Sequence, residues 1–346
     1  MPEPHLHRVN DAPPRHLFVR LPNWIGDVCM SLPSLNLLLA TGLPVTVCAR
    51  PWARGLLHAL PLAGIVPMSG RFGADRRAVA DALAQTGVGA SQAAGLLLPD
   101  SLSSAAVFRL AGLRCGGYRD DGRSLLLRWP QPKPDQPLHA VESWYALTRA
   151  VLAQWGLDPG PATPPAQLGL PLLPTDHEQA QQALAQADLA HRPFVLIAPT
   201  ATGLHKGRVK VWPQFDGLTR ALQDRGLAVV SCPPAAERQE SANNAPTAQI
   251  LPSLPLGAYA ALARRAALVI CNDSGVSHLA AAVGARQLTI FGVTQPGRTR
   301  PWSADALLLG TDNAWPSEAE VLAGALSRIG HAAARSDADA QPGGNS

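Results

Sequence analysis

From His16 onward the chain alternates short apolar runs with longer segments whose apolar positions recur at helical spacing. HLFVRL at 16–21 reads as a strand followed by a helix from about Asp27 to Leu39, and PVTVCA at 44–49 precedes a helix from Trp52 to Leu60. A short strand near Ile65 leads to a helix from Asp75 to Thr86, and AGLLLP at 94–99 leads to one from Ser101 to Leu110. Such alternation predicts a parallel sheet with right-handed crossovers. Pro130, Pro132, Pro134 and Pro137 mark an extended loop before a helix from His139 to Trp155. Six prolines between Pro159 and Pro174 then break all periodicity. A second series follows: a helix Thr175 to Leu189, the strand FVLIA, a helix after Trp212, the strand LAVVSC, a short helix near Ala236 and a helix Gly257 to Arg265. It ends with a strand Leu268 to Cys271, a helix Val276 to Val283 and a strand Gln287 to Phe291.

Two α/β series separated by a proline-rich break predict two domains, and 346 residues exceed what one core usually covers. The pattern divides into a loose segment 1–15, a domain 16–158, a linker 159–174, a domain 175–330 and a disordered tail 331–346. Hydrophobic residues at 47% and charged ones at 16% describe an ordinary globular chain. No apolar run approaches the roughly 20 residues that span a bilayer, and no charged-then-apolar leader precedes the first strand, so a cytoplasmic location is expected. The five cysteines lie in or near apolar runs without CxxC spacing and read as buried free thiols.

Charge is unevenly shared. Residues 1–150 hold 15 Lys/Arg against 10 Asp/Glu, and the remainder 14 against 15. Arg71, Arg76, Arg77, Arg109, Arg114, Arg119, Arg123, Arg128 and Lys133 fit either an anionic ligand or membrane surface, or an arginine-rich solvated face. Nothing resembles a nucleic-acid-binding motif. No GxGxxG follows a strand and no GxSxG elbow is present, which argues against a nicotinamide oxidoreductase and a serine hydrolase. Asp and His residues lack metal-ligand spacing, and no metal or cofactor is expected.

The most informative segment is LVICNDSGVSHLAAAVGARQLTIFGVTQPGRTRPW, 268–302. Its polar turn joins a buried strand to a small-residue helix, which brings Asp273, Ser274 and Gly275 to a helix N-terminus where unpaired N–H groups favour a phosphate. A plain Asx/Ser cap reads the same way. N-D-S-G-x-x-H-x-A-A-A followed by F-G-x-T-x-P-x-R-T-x-P-W resembles the ADP-heptose:lipopolysaccharide heptosyltransferases. A second block, PNWIGDVCMSLPSL at 22–35, is similar to that family's first strand-loop-helix.

The resemblance implies a GT-B fold, α/β, with two Rossmann-like domains whose parallel sheets face a central cleft. It implies inverting transfer of heptose from ADP-L-glycero-D-manno-heptose to the lipopolysaccharide inner core. Asp27, beside Gly26, would be the single general base, although from spacing alone it could cap the helix after it. Lys210, two residues before Trp212-Pro213, matches the family's Lys-x-Trp-Pro element and would bear on the diphosphate. The preceding loop TATGLHKGRV is longer than the family's and adds Lys206, so either lysine could serve; Thr200 and Thr202 of this loop join the substrate-binding candidates. Glu237 falls where the family puts an acidic residue on the ribose. His278, on the anion-site helix, is either a ligand contact or a structural histidine. The implied partners are ADP-heptose and an anionic core acceptor, Kdo-lipid A or heptosylated core, with peripheral contact at the inner-membrane surface. Alternatives are a GT-B enzyme for another nucleotide sugar, an epimerase among them, and a non-catalytic acceptor-binding paralogue.

Overall fold

The computed structural model describes residues 12–339 except Asp121, Thr202 and Lys206. The chain divides into two compact units: one comprises the chain up to Arg54 and Leu60–Pro165, the other Gly55–Ala59 and the chain from Ala166. In the first unit β1 (His16–Arg20), α1 (Ile25–Met30), α2 (Leu32–Ala40), β2 (Val45–Ala49), α3 (Arg54–Leu57) and β3 (Gly64–Pro67) come first. They are followed by α4 (Phe72–Gln85), β4 (Ala93–Leu97), α5 (Leu102–Leu110), β5 (Arg114–Tyr118), β6 (Trp129–Gln131) and α6 (Ala140–Gln154). Its six parallel strands run in the order β3-β2-β1-β4-β5-β6.

The second unit holds α7 (Pro174–Gln186), β7 (Phe194–Ala198), β8 (Leu204–His205), β9 (Arg208–Val209), α8 (Phe215–Gln223), β10 (Ala228–Ser231), α9 (Arg238–Asn244) and β11 (Gln249–Ile250). It continues through α10 (Leu256–Arg265), β12 (Leu268–Asn272), α11 (Gly275–Ala282), β13 (Gln287–Ile290), α12 (Pro296–Thr299), β14 (Leu307–Leu309) and α13 (Glu318–Asp339). The order β11-β10-β7-β12-β13-β14 repeats the first sheet's topology, again with all neighbours parallel. β1, β4, β7 and β12 are buried at every position because helices cover both faces, so they read as continuous apolar runs.

Several elements depart from the sequence pattern. The helix expected from Asp27 to Leu39 is two helices broken at Ser31, because Pro33 has no N–H to continue the ladder of α1. β5 and β6 lie where no strand is expected. Two glycines disguise β5, yet a side chain at Gly116 would come within 2.6 Å of Val151 on α6. β6 tolerates Pro130 because it is an edge strand. β11 and β14, two and three residues long, also went unpredicted. The expected Trp52–Leu60 helix is a 3-10 turn, Pro51–Ala53, running into the four-residue α3. At the end of the chain α13 continues past Gly330 to Asp339, where the sequence suggested disorder; HAAAR is rich in helix formers. Residues 340–346 and 1–11 lie outside the described residues, and 12–15 are coil with the Arg15 N–H on the Gln92 carbonyl.

The proline-rich stretch has no helix or strand until Pro174. It is nonetheless anchored: Leu168 and Leu170 are buried, and the Leu170 N–H donates to the Ala282 carbonyl at 2.9 Å. Among the described residues no helix is long and apolar enough to cross a membrane. All five cysteines are free and buried, and burial pushes the Cys232 thiol up to about 11 and Cys271 to about 12.

Candidate active site

In a doubly wound sheet, ligands bind outside the carboxyl ends of the strands where the winding direction reverses. That point lies between β1 and β4 in the first unit and between β7 and β12 in the second. The segment after β1 carries Gly26 and Asp27; those after β7 and β12 carry Thr200 and Asp273-Ser274-Gly275.

In the first unit, Asp27 is the third residue of α1, and the N-cap is Trp24. Asp27 therefore does not cap the helix, which corrects one of the two roles its spacing allowed. Among the described residues its half-buried carboxylate has no hydrogen-bond or ion-pair partner. Burial alone raises its pKa above the usual carboxylate value. The loop leading to it is held from beneath by Arg20. This buried guanidinium donates to Asn23 Oδ1 at 2.6 Å, to the Cys48 carbonyl at 3.3 Å and to the Leu21 carbonyl.

Several of the basic residues that could meet an anionic ligand are spent on the protein itself; Arg114 donates to the Ser91 carbonyl and lies over the Trp129 ring. Arg123, fully buried, donates to the carbonyls of Pro99 at 2.8 Å and Tyr118 and to Asp100 Oδ1 at 3.2 Å. Lys133 bridges Asp100, at 2.9 Å, and Asp120. Arg71, Arg76, Arg77 and Arg119 remain exposed.

In the second unit, Asn272 ends β12 fully buried. Its Oδ1 accepts the Trp212 N–H, and its Nδ2 donates toward the carbonyls of Ala198 and Thr200. One amide thus ties the turn after β12 to the turn after β7 and to the Lys210-x-Trp212 element. The Asp273 N–H is taken by the Ile290 carbonyl, and Ser274 is the N-cap of α11, its Oγ accepting from the Val276 N–H at 3.4 Å. The turn is half-buried from Ser274 to Val276, and His278 lies buried one turn further along α11. Thr200 Oγ1 donates to Glu237 Oε2 at 2.5 Å, so two of the candidates meet directly. Lys210 is half-buried, with no partner among the described residues. Arg208 is committed to the carbonyls of Val293 and Asp312. The longer loop folds back as the β8-β9 hairpin, with Gly207 at φ 77° in its turn. Thr202 and Lys206 lie outside the described residues. Among the described residues no group of three or more His, Cys, Asp and Glu could hold a metal ion.

Sequence alone missed Asn272, Trp212 and Arg20, whose work is to hold the turns. The Asn preceding Asp-Ser-Gly was the available signal, since a buried amide at a strand end needs several partners.

Two six-stranded parallel sheets of identical winding, with candidate residues at both switch points, define the GT-B class of glycosyltransferase fold. A model of glycosyltransferase family 9 (heptosyltransferase) matches residues 85–321, and the chain belongs to that family. It is 26% identical to lipopolysaccharide heptosyltransferase 2 of Escherichia coli K12 over 313 residues, covering 83% of this chain and 86% of that one. The structure of E. coli ADP-heptose LPS heptosyltransferase II superposes with a TM-score of 0.71 at 24% identity, over 91% of this chain and 98% of the other. E. coli heptosyltransferase WaaC with ADP gives 0.70 at 20% identity, over 90% and 99%. The chain is thus an enzyme, a glycosyltransferase of the heptosyltransferase type.

Proposed function

We propose that the enzyme transfers heptose from ADP-L-glycero-D-manno-heptose to an anionic inner-core acceptor of lipopolysaccharide, inverting the anomeric centre, with Asp27 as the general base. The observation that carries this reading is the Asp27 carboxylate itself: half-buried, without a partner among the described residues, raised in pKa by burial and at the switch point of its sheet. A carboxylate tuned upward is a stronger base than a solvated one. In the reaction it takes the acceptor hydroxyl proton as that oxygen forms its bond to the anomeric carbon. The carbon–oxygen bond to the diphosphate breaks with its electron pair, and ADP leaves.

The departing diphosphate gains one negative charge, on the oxygen released from the anomeric carbon, and that oxygen calls for N–H and cationic partners. In this reading Gly275 and Val276 at the start of α11 supply N–H groups and Lys210 a point charge, with Lys206 as the second candidate lysine. Glu237, oriented by Thr200, takes the ribose, and His278 supports the turn from within α11. We assign the acceptor to the domain 16–158 and the nucleotide sugar to 175–330, with action at the cytoplasmic face of the inner membrane. The names of the relatives, and the solved relative that holds ADP, support the donor assignment.

The test is direct assay. The purified chain incubated with ADP-heptose and either Kdo-lipid A or its heptosylated form should release ADP and yield a glycoside of inverted configuration by NMR. Transfer from UDP-, GDP- or CMP-sugars in preference to ADP-heptose would overturn the reading.

A further inference from the structure

We propose that Trp24 is the stacking platform on which a sugar ring of the acceptor lies while Asp27 acts on its hydroxyl. The inference rests on the reading of the Asp27 side as the acceptor half of the enzyme. Trp24 is 71% exposed, whereas every other tryptophan of the chain is buried or half-buried. It adds nothing to a core.

Nor does the local structure call for it. Trp24 occupies the N-cap of α1 in extended backbone, φ −111° and ψ 147°, without a side-chain capping bond. That position favours Ser, Thr, Asp or Asn, whose oxygens satisfy an unpaired helix N–H. A tryptophan there forgoes the cap and leaves a large apolar face in water, two local disadvantages with no packing return.

The placement instead suits a ligand. Trp24 is the N-cap and Asp27 the third residue of α1, the pair of positions that a capping box joins through each other's backbone N–H, so the indole and the Asp27 carboxylate start from one helix end. The backbone beneath is fixed: Arg20 clamps Asn23, and the Trp24 carbonyl accepts the Val28 N–H at 3.0 Å. An exposed aromatic on a fixed stretch of backbone, near the proposed base, matches the apolar C–H face of a pyranose, since binding sites combine aromatic walls with a few polar groups that orient the ligand. Order on the protein side before binding lowers the cost of association.

The experiment uses Trp24→Ala, Trp24→Phe and Trp24→Ser in the full chain. Initial rates are measured at saturating ADP-heptose over a range of Kdo-lipid A and of its heptosylated form, alongside ADP titration calorimetry and melting. Loss of the ring should raise the acceptor KM at least about tenfold in the Ala and Ser variants, with kcat within about threefold of wild type. ADP affinity stays unchanged, and Phe keeps the KM within about threefold. Ser, a good cap, should hold or raise the melting temperature while it harms the KM, a divergence that a structural role would not produce. An unchanged acceptor KM in Trp24→Ala overturns the platform, as does a Phe variant as poor as Ala or a Ser variant that melts low. A wild-type enzyme inactive on both acceptors overturns the proposed function itself, whereas an active wild type with an indifferent Trp24→Ala overturns only the platform.

Discussion

Asn272 Oδ1 accepts the backbone N–H of Trp212 at 2.9 Å, and through the same side chain Nδ2 reaches the carbonyls of Ala198 and Thr200 at 3.3 and 3.4 Å. Three backbone groups from two other segments depend on one buried amide. Asn272→Ala would leave them unpaired away from water, at a cost of about 2–4 kcal/mol of stability. Asn272→Asp should do no better, because it turns a donor toward two carbonyls into a second acceptor and buries a charge. Urea denaturation measures both. An Asn272→Ala midpoint equivalent to less than about 0.5 kcal/mol of change would show that the turns hold themselves.

Arg123 provides a contrast between architecture and ligand binding. Its guanidinium is fully buried and serves the carbonyls of Pro99 and Tyr118 and the Asp100 carboxylate. Arg123→Met should therefore destabilise the protein by about 2–4 kcal/mol, since two carbonyls lose their donor and Asp100 is left with Lys133 alone. Arg71→Ala and Arg76→Ala, both at exposed sites, should change stability by no more than about 0.5 kcal/mol. Thermal melts of the three variants decide it. A stable Arg123→Met protein with a raised acceptor KM would return Arg123 to the list of ligand-binding residues.

The two sheets were legible because fully buried parallel strands are unbroken apolar runs; FVLIA at β7 is assigned to the residue. β5 was not, since Gly116 and Gly117 interrupt its apolar pattern, and only the structure shows that Val151 of α6 leaves no room for a side chain at Gly116. The turn at Asp273-Ser274-Gly275 was visible as a strand-to-helix change in polarity. Its dependence on Asn272, and the Thr200–Glu237 bond that spans 37 positions, were not, because partners so distant in sequence leave no periodic trace. Asp27 shows both limits at once. Its block marked the residue as a candidate, yet spacing put it at the N-cap, and only the backbone shows Trp24 there instead.

For the donor side, Lys210→Ala removes a half-buried ammonium without a protein partner among the described residues, so little of the fold depends on it. Replacement of Gly275 by a bulky residue should obstruct the first N–H of α11. Each change is expected to weaken ADP binding by about 1–3 kcal/mol, roughly five- to 150-fold, with melting little altered. Calorimetry with ADP reads this out. Unchanged affinity in Lys210→Ala would move the diphosphate contact to Lys206, because Arg208 is already engaged with Val293 and Asp312.

Asp27 gives the sharpest prediction because its chemistry and its stability effect have opposite signs. Burial raises its folded-state pKa above the unfolded value, so the native state binds the proton more tightly. Stability contributed by the protonated form is then present below the ordinary carboxylate pKa and is lost as pH rises toward the raised value. At neutral pH the ionised carboxylate is a net burden on the fold. Asp27→Asn should accordingly melt at or above the wild-type temperature at pH 7–8, with the difference vanishing below about pH 4. Turnover must go the other way: loss of the base should lower kcat by at least about a hundredfold, with ADP affinity near normal. The wild-type acid limb of kcat/KM for the acceptor should fall above the ordinary carboxylate range and be absent in the variant's residual activity. Retention of more than about a tenth of wild-type turnover in Asp27→Asn, with the same acid limb, would remove Asp27 from the chemistry.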